Sequence, residues 1–336
     1  MLSMERDKQD TGETPSLAAG VWNWWRLPDS ICMDGSPTGV AVLPQPAAKK
    51  PSGLMVFLED GGACFDRISC AVARLAYKDH FAEHHFDARR RTVLQRGFFA
   101  DASRNPFQHY HQAYVPNCSG DAHLGQKIDA PGAVPHRGFV NAQNALKALR
   151  RVFGPVPKLV LVGSSAGGFG ALAMVPLLLR TFPEAQVTVV NISGPPLAAP
   201  VMQPCVQAHW TERWFMRPTL YQACGAACLV DQGGDIGEVW RVLTQRYPEV
   251  HFALITSLRD EVIRTYLALA QWPACPVHQG LAPLLADLTA RQLPMTAAQA
   301  YESALHRLRR RLGQRRNFFT WFVDSDTHVV VDGATS

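Results

Sequence analysis

The sequence has no apolar run of the roughly 18 to 20 residues that a membrane-spanning helix needs. Its longest candidate, Ala171 to Leu179, is interrupted by Pro176 and ends at Arg180. Charge is scarce, at 18% of residues, and 33 basic against 28 acidic side chains leave a formal charge of only +5. A nucleic-acid binder would carry a larger excess concentrated on one face, so no nucleic-acid partner is expected. Internal repeats, low-complexity linkers and composition breaks are missing, which argues against a solenoid or a string of domains. The first twenty residues are charged and polar where a secretory signal would be apolar, leaving a cytoplasmic location and a removed leader both open.

What is present is the composition of a cored globular chain: 336 residues, 47% hydrophobic and 9% aromatic. At that length roughly three quarters of the unfolded surface can be buried, so disorder and fibrous structure are excluded. Residues 1–17 show no periodicity and are expected to form a disordered tail, with a single domain over 18–336. Beyond the tail, short β-branched runs such as Leu54–Leu58, Leu159–Val162, Val187–Val190, His251–Ile255 and Phe318–Val323 read as buried strands. Helical patterns lie between them at Asn141–Phe153, Gly168–Phe182 and Thr296–Leu312, the last with Tyr301, Leu305, Leu308 and Leu312 on one face. Alternation of the two implies an α/β fold, a mostly parallel central sheet flanked by helices. The arginines at 307, 309, 310, 311, 315 and 316, and the run Arg89 to Arg91, are read as solvated faces, the former also complementing a helix C-terminus.

Gly163-Ser164-Ser165-Ala166-Gly167-Gly168 follows the Leu159–Val162 strand and opens a helix. This is the G-x-S-x-G nucleophile elbow in its strand, turn, helix context. The turn is tight, so the residues flanking the serine are small: Gly163, Ala166 and Gly167. Strand-to-helix turns also use Gly and Ser for backbone reasons alone, but the placement after a buried strand favours Ser165 as nucleophile, with Ser164 out of register. The base and its orienting acid follow in the order serine, acid, histidine. Of the twelve histidines only His328 sits just past a late strand, at the carboxyl edge where open α/β sheets bind ligands. Asp260 lies just beyond the His251–Ile255 strand. Asp231 and Asp235 have no such strand, and Asp324 and Asp326 are too close in sequence to His328. Glycines after the Leu54–Leu58 strand allow close backbone approach, so the amides of Gly62 or Ala63, with Ala166, are the expected oxyanion donors.

These segments, taken in order, resemble the pectin acetylesterase / Notum carboxylesterase family. The resemblance is carried by Cys32-Met33-Asp34-Gly35-Ser36-Pro37, by Phe57-Leu58-Glu59-Asp60-Gly61-Gly62-Ala63-Cys64, and by Asn105-Pro106 with Val115-Pro116-Asn117-Cys118-Ser119-Gly120-Asp121. His136-Arg137-Gly138, the elbow and Asp324–His328 continue it. It implies an α/β-hydrolase-like fold and the triad Ser165, Asp260, His328. The implied activity is a serine esterase removing a short acyl group, acetyl first, from a carbohydrate ester such as an acetylated polysaccharide, through an acyl-enzyme and without cofactor or metal. The same-class alternative is a lipid deacylase for a longer chain; the different-class alternative is an inactive carbohydrate-binding relative. The family pattern further implies disulfides Cys32 with Cys118, Cys64 with Cys70, Cys205 with Cys275 and Cys224 with Cys228, and with them a secreted or periplasmic, monomeric protein. A zinc reading of Cys224 and Cys228 lacks a second Cys or His pair at the usual spacing. The chain departs from the pattern at Asp60, where many relatives have Gly, at Asn117, where they have Tyr, and at Ala63, which replaces a bulky aromatic and reshapes the acyl pocket. Asp121 and His123 are read as structural.

Overall fold

A computed structural model describes residues 16–65, 68–72, 74–92, 94, 99–100, 105–127, 134–199, 201–269 and 295–329. The expected tail therefore lies almost wholly outside the described residues, as does Cys275. Eight strands form one sheet: β1 (Asn23–Ile31), β2 (Pro37–Leu43), β3 (Gly53–Leu58), β4 (Tyr110–Val115), β5 (Lys158–Ser164), β6 (Gln186–Ile192), β7 (His251–Ser257) and β8 (Phe318–Val323). Their order is β1-β2-β4-β3-β5-β6-β7-β8. From β4 onward every pairing is parallel; β1 and β2 add an antiparallel edge.

The central strands form because both faces are covered. All six side chains of β3 and six of the seven of β5 are buried, which is why they read as continuous apolar runs rather than alternating ones. On one face the core joins Leu54, Val56, Leu159 and Leu161 to Leu146, Leu172, Leu178, Trp240 and Leu305. These last come from helices α2 (Gly138–Phe153), α3 (Ala166–Ala173), α4 (Val175–Thr181), α7 (Val239–Arg246) and α9 (Met295–Leu312), and α5 (Pro204–Arg213) and α6 (Arg217–Cys224) pack on the same side. The opposite face buries Met55, Phe57, Tyr114, Val160 and Val162 against Phe81, Phe86 and Phe99, Phe86 lying on α1 (Glu83–Arg90). The eighth helix in chain order, α8 (Glu261–Leu269), begins one residue after Asp260.

Two expectations change in detail. The segment expected as one helix over Gly168–Phe182 is two, α3 and α4, meeting at Met174; Pro176 has no N–H for the α3 ladder and sits instead in the first turn of α4, where none is needed. Strands β1 and β4 carry no clear apolar run, and β2 has one, Val40–Leu43, that is not among the expected strands. β1 contains Pro28, has Asp29 at φ 56° and shifts register between Arg26 and Ile31. In β4 the buried Gln112 is accommodated because its amide donates to Phe107 O at 3.1 Å.

Disulfides join Cys32 to Cys118, Cys64 to Cys70 and Cys224 to Cys228. The last removes the zinc reading, since sulfurs bonded to each other are not thiolate ligands. Cys32–Cys118 closes a separation of 86 residues and ties the β1–β2 hairpin to the loop after β4. Replacing both cysteines by alanine is expected to lower unfolding free energy by about 3 to 5 kcal/mol, through the entropy regained by the unfolded chain. Guanidinium denaturation of wild type and double variant checks it; equal midpoints would contradict the cross-link's role.

Candidate active site

Ser165 stands between the end of β5 and the first turn of α3, with φ 51° and ψ −113°. That conformation is strained for a residue with a Cβ, and the crowding around it explains why it persists. A Cβ on Gly163 would lie 2.1 Å from Gly167 O, and one on Gly167 2.1 Å from Leu58 O. The chain can turn this sharply against β3 only with glycine at both positions. Ser165 N–H donates to Ile192 O at 2.7 Å, pinning the turn to β6. Ser164 stays in β5, buried at 2% exposure.

The three side chains singled out from sequence order meet. His328 Nε2 is 2.9 Å from Ser165 Oγ, and His328 Nδ1 is 2.8 Å and 3.0 Å from the two carboxylate oxygens of Asp260. Asp260 is fully buried. It accepts from Nδ1–H, which leaves Nε2 as the acceptor for the serine proton. Asp260 also accepts from Ile263 N–H at 2.9 Å, so it caps the helix that follows it. The loop carrying His328 is tied down by Ser257 Oγ donating to Thr327 O at 2.6 Å and Val329 N–H donating to Ser193 Oγ at 3.2 Å. The other carboxylates are engaged elsewhere: Asp324 and Asp326 pair with Arg259, Asp231 with Arg217, and Asp235 caps a short turn through Gly237 N–H.

At the expected oxyanion loop, Gly62 has φ 73° and its carbonyl accepts from Asn117 Nδ2 at 3.1 Å. Ala166 N–H lies in the first turn of α3, where the helix supplies no acceptor. The loop also pairs with the segment that follows it: Gly62 bridges antiparallel to Ala76, Gly61 O accepts from Tyr77 N–H at 2.9 Å, and the hydroxyl of Tyr266, a residue that sequence spacing did not single out, donates to Leu75 O at 2.5 Å. Gly62, Ala63, Ser165, Ala166 and Tyr266 share one pocket that opens to solvent. Its remaining walls are apolar, from Ala122, Leu124, Phe169, Trp210, Trp214, Ile236 and Ile263. Trp210 and Trp214 stack at 5.1 Å, and Trp214 Nε1 donates to Cys64 O at 2.8 Å, joining the wall to the oxyanion loop.

Beneath the loop lies a buried charge cluster. Glu59, 2% exposed, has Lys78 Nζ at 2.5 Å and Arg89 Nε at 3.1 Å, and accepts from Asn117 N–H at 3.0 Å. Arg89 is thus more than part of a solvated run, because it helps neutralise a carboxylate that could not otherwise stay in the interior. Asp121 is fully buried and accepts from Ser119 Oγ at 2.7 Å and Gly138 N–H at 2.7 Å; His123 is 2.9 Å from Glu59 O and His136 2.7 Å from Ser119 O. Burial pushes both imidazoles below the ordinary histidine range.

A serine at a strand-to-helix elbow, with histidine and aspartate brought from later strand ends to the carboxyl edge of a mostly parallel sheet, defines the α/β-hydrolase-like class. The pectinacetylesterase family model matches residues 26–213, more than half of the chain, and the chain belongs to that family. Ser165 lies inside the matched region; Asp260 and His328 lie beyond it. The chain is 29% identical over 195 residues to the palmitoleoyl-protein carboxylesterase NOTUM of Schmidtea mediterranea. That alignment takes in 56% of this chain and 36% of the relative, so the chain spans about a third of that protein's length. Two crystal forms of the Wnt deacylase Notum from Drosophila share the fold. Form I has a TM-score of 0.56 at 17% identity, covering 89% of this chain and 83% of that one. Form II has a TM-score of 0.58 at 18% identity, covering 92% and 85%.

Asp60 follows Glu59 into the site and is the other carboxyl that His328 interacts with electrostatically. Burial first, and then the charge of Glu59, push its carboxyl above the ordinary value of 3.8. The folded protein therefore holds the Asp60 proton to higher pH than the unfolded chain does. The stability this contributes is complete below the ordinary value and is lost as pH rises through the folded one. Asp60→Asn, neutral at every pH, is expected to melt above wild type at pH 7, with the gap closing below about pH 4. Calorimetric scans against pH test this, and a gap independent of pH would contradict it.

Proposed function

We propose that this chain is a serine carboxylesterase. The observation that carries the reading is the continuous relay from Asp260 through His328 to Ser165 Oγ, with distances of 2.8 and 2.9 Å. Ser165 Oγ attacks the ester carbonyl carbon while His328 Nε2 takes its proton. The amides of Gly62 and Ala166 donate to the oxyanion, helped by the positive end of the α3 dipole. Collapse of the tetrahedral intermediate expels the alcohol, which takes the proton back from His328. Water, deprotonated by the same imidazole, then attacks the acyl-enzyme and releases the acid. Asp260 stabilises the transient imidazolium and keeps its proton on Nδ1.

The pocket bears on the acyl group. An acetyl group presents a single methyl, which would touch only a small part of the apolar lining beside Ser165. Walls of tryptophan, phenylalanine and isoleucine suit a hydrocarbon chain, so we assign the acyl side of the ester to this pocket and expect a group longer than acetyl. The acetyl reading keeps one support, the description of the family to which the chain belongs. Three disulfides among the described residues support an oxidising compartment, the periplasm or the exterior.

Hydrolysis of p-nitrophenyl esters from acetyl to long acyl chains, by wild type and variants, tests both parts. Ser165→Ala is expected to lower kcat by roughly 10⁶-fold and Asp260→Asn by about 10⁴-fold. The chain-length optimum is expected beyond acetyl; an optimum at acetyl returns the substrate to a short-chain ester. A wild type inert on every ester and unlabelled by a fluorophosphonate would replace the enzyme reading with a binding protein.

A further inference from the structure

Helix α8 touches both halves of the site. At its start it is capped by the triad acid: Ile263 N–H donates to Asp260 Oδ1 at 2.9 Å and Arg264 N–H to Asp260 O at 3.0 Å. Ile263 and Tyr266, three residues apart and so on one helix face, both line the pocket. At the far side of that pocket the Tyr266 hydroxyl donates to Leu75 O at 2.5 Å. It also lies against Gly62: a Cβ there would sit 2.7 Å from Tyr266 Oη and 2.0 Å from Leu75 O.

The loop needs such a support. Gly61 and Gly62 both have positive φ, 145° and 73°, and two successive glycines leave the chain with little intrinsic stiffness. Oxyanion stabilisation requires the opposite, amides fixed in advance at the place where charge develops. Gly62 bridges antiparallel to Ala76 and Gly61 O accepts from Tyr77 N–H at 2.9 Å, so the position of the Leu75–Tyr77 segment sets the rigid peptide planes on either side of Gly62. A phenol can hold that segment by donating to Leu75 O while its oxygen lies beside Gly62. Burial pushes its ionisation up to about 12, so it remains protonated across the working range.

We propose that Tyr266 is a positioning residue for the oxyanion hole: its hydroxyl holds Leu75, whose following residues pair with Gly61 and Gly62, so that one helix sets the triad acid at its N-terminus and the oxyanion loop one and a half turns later. The proposal rests on the serine carboxylesterase reading and adds to it a residue outside the triad. Tyr266 does not touch the reacting atoms. Its effect is on the geometry of the donors that do.

The test is Tyr266→Phe, which keeps the ring as pocket wall and removes only the hydroxyl. With a p-nitrophenyl ester, kcat is expected to fall roughly 10- to 100-fold with KM within about 2-fold, since a donor shifted by a fraction of an ångström is lost mainly to the transition state. Affinity for a trifluoromethyl ketone, whose serine adduct carries the oxyanion, is expected to fall by the same factor as kcat. A merely structural role would lower the melting temperature and leave both constants of the folded protein unchanged, and that result overturns the proposal. A second measurement needs no variant: in wild type the Tyr77 amide, which donates to Gly61 O, is expected to exchange slowly with deuterium, and exchange at the rate of an open loop overturns the clamp. If Ser165→Ala abolishes hydrolysis while Tyr266→Phe matches wild type, only the positioning role fails. If wild type neither hydrolyses esters nor takes a fluorophosphonate, the esterase reading fails and this proposal with it.

Discussion

A backbone contact governs the whole arrangement. β3, β5 and the first turn of α3 come so close that the carbonyls of Leu58 and Gly167 occupy the space where side chains on Gly167 and Gly163 would be. This crowding holds Ser165 at φ 51°, a conformation that costs a residue with a Cβ about 1 to 3 kcal/mol and survives only where the surroundings over-determine it. The strain has a direction: it turns the serine out of the sheet at the carboxyl edge. β3 and β5 are hydrogen-bonded neighbours, so the loop that leaves β3 starts beside the nucleophile. Histidine and aspartate then come from the ends of β8 and β7, which are adjacent in the same sheet and so deliver the two side chains to each other.

The loop leaving β3 opens on two acidic residues, a costly choice in an interior position. Glu59 is matched by Lys78, Arg89 and the Asn117 amide, which tie the root of the loop to α1 and to the segment after β4. Asp60 lacks an equivalent set and responds by holding its proton more tightly. Next-door carboxyls thus take different solutions to one problem, ion pairing in one case and a proton kept to higher pH in the other. The Cys64–Cys70 bond and the Trp214 donation to Cys64 O fasten the far end. Between the two anchors lie Gly61 and Gly62, held by Tyr77 N–H on Gly61 O, by Asn117 Nδ2 on Gly62 O and by the bridge of Gly62 to Ala76.

The sequence made some of this legible and hid the rest for identifiable reasons. β3 and β5 are apolar runs because parallel strands covered on both faces need nothing else, while β6, β7 and β8 stay apolar or β-branched with alternating burial, β8 leaving Phe319 and Trp321 exposed at the sheet edge. β1 and β4 sit toward the antiparallel edge, where Pro28, the irregularity at Asp29 and the buried Gln112 break the pattern. Pro176 was visible, and its consequence, a helix split at Met174, is a matter of one missing N–H. The triad could be read because order along the chain and position after a strand constrain it tightly. Tyr266 could not, because its hydroxyl meets a backbone carbonyl 191 residues away and no local spacing reports that contact. Arg89 was misread for the same reason: within its own run it resembles a solvated charge, and only the fold brings it to Glu59.

The small residue at position 63 is where the local and tertiary views differ most. Against the family pattern that the sequence resembles, Ala63 subtracts an aromatic ring from the oxyanion loop, and by itself that would widen the acyl pocket. The structure brings a ring back from elsewhere: Tyr266 lines the same pocket, lies against Gly62 and donates to Leu75 O beside the loop. Ring and loop are then separate pieces of chain, joined by hydrogen bonds rather than by a covalent side chain. A residue that serves as pocket wall and loop clamp together links two properties an esterase would otherwise tune separately, the width available to the acyl group and the placement of the oxyanion donors. Enlarging the pocket at this position would therefore loosen the oxyanion loop as well, whereas enlarging it at Phe169 or Trp210 would leave the clamp in place. Selectivity is then expected to be more freely adjustable on the α3 and α5 walls than on the α8 wall.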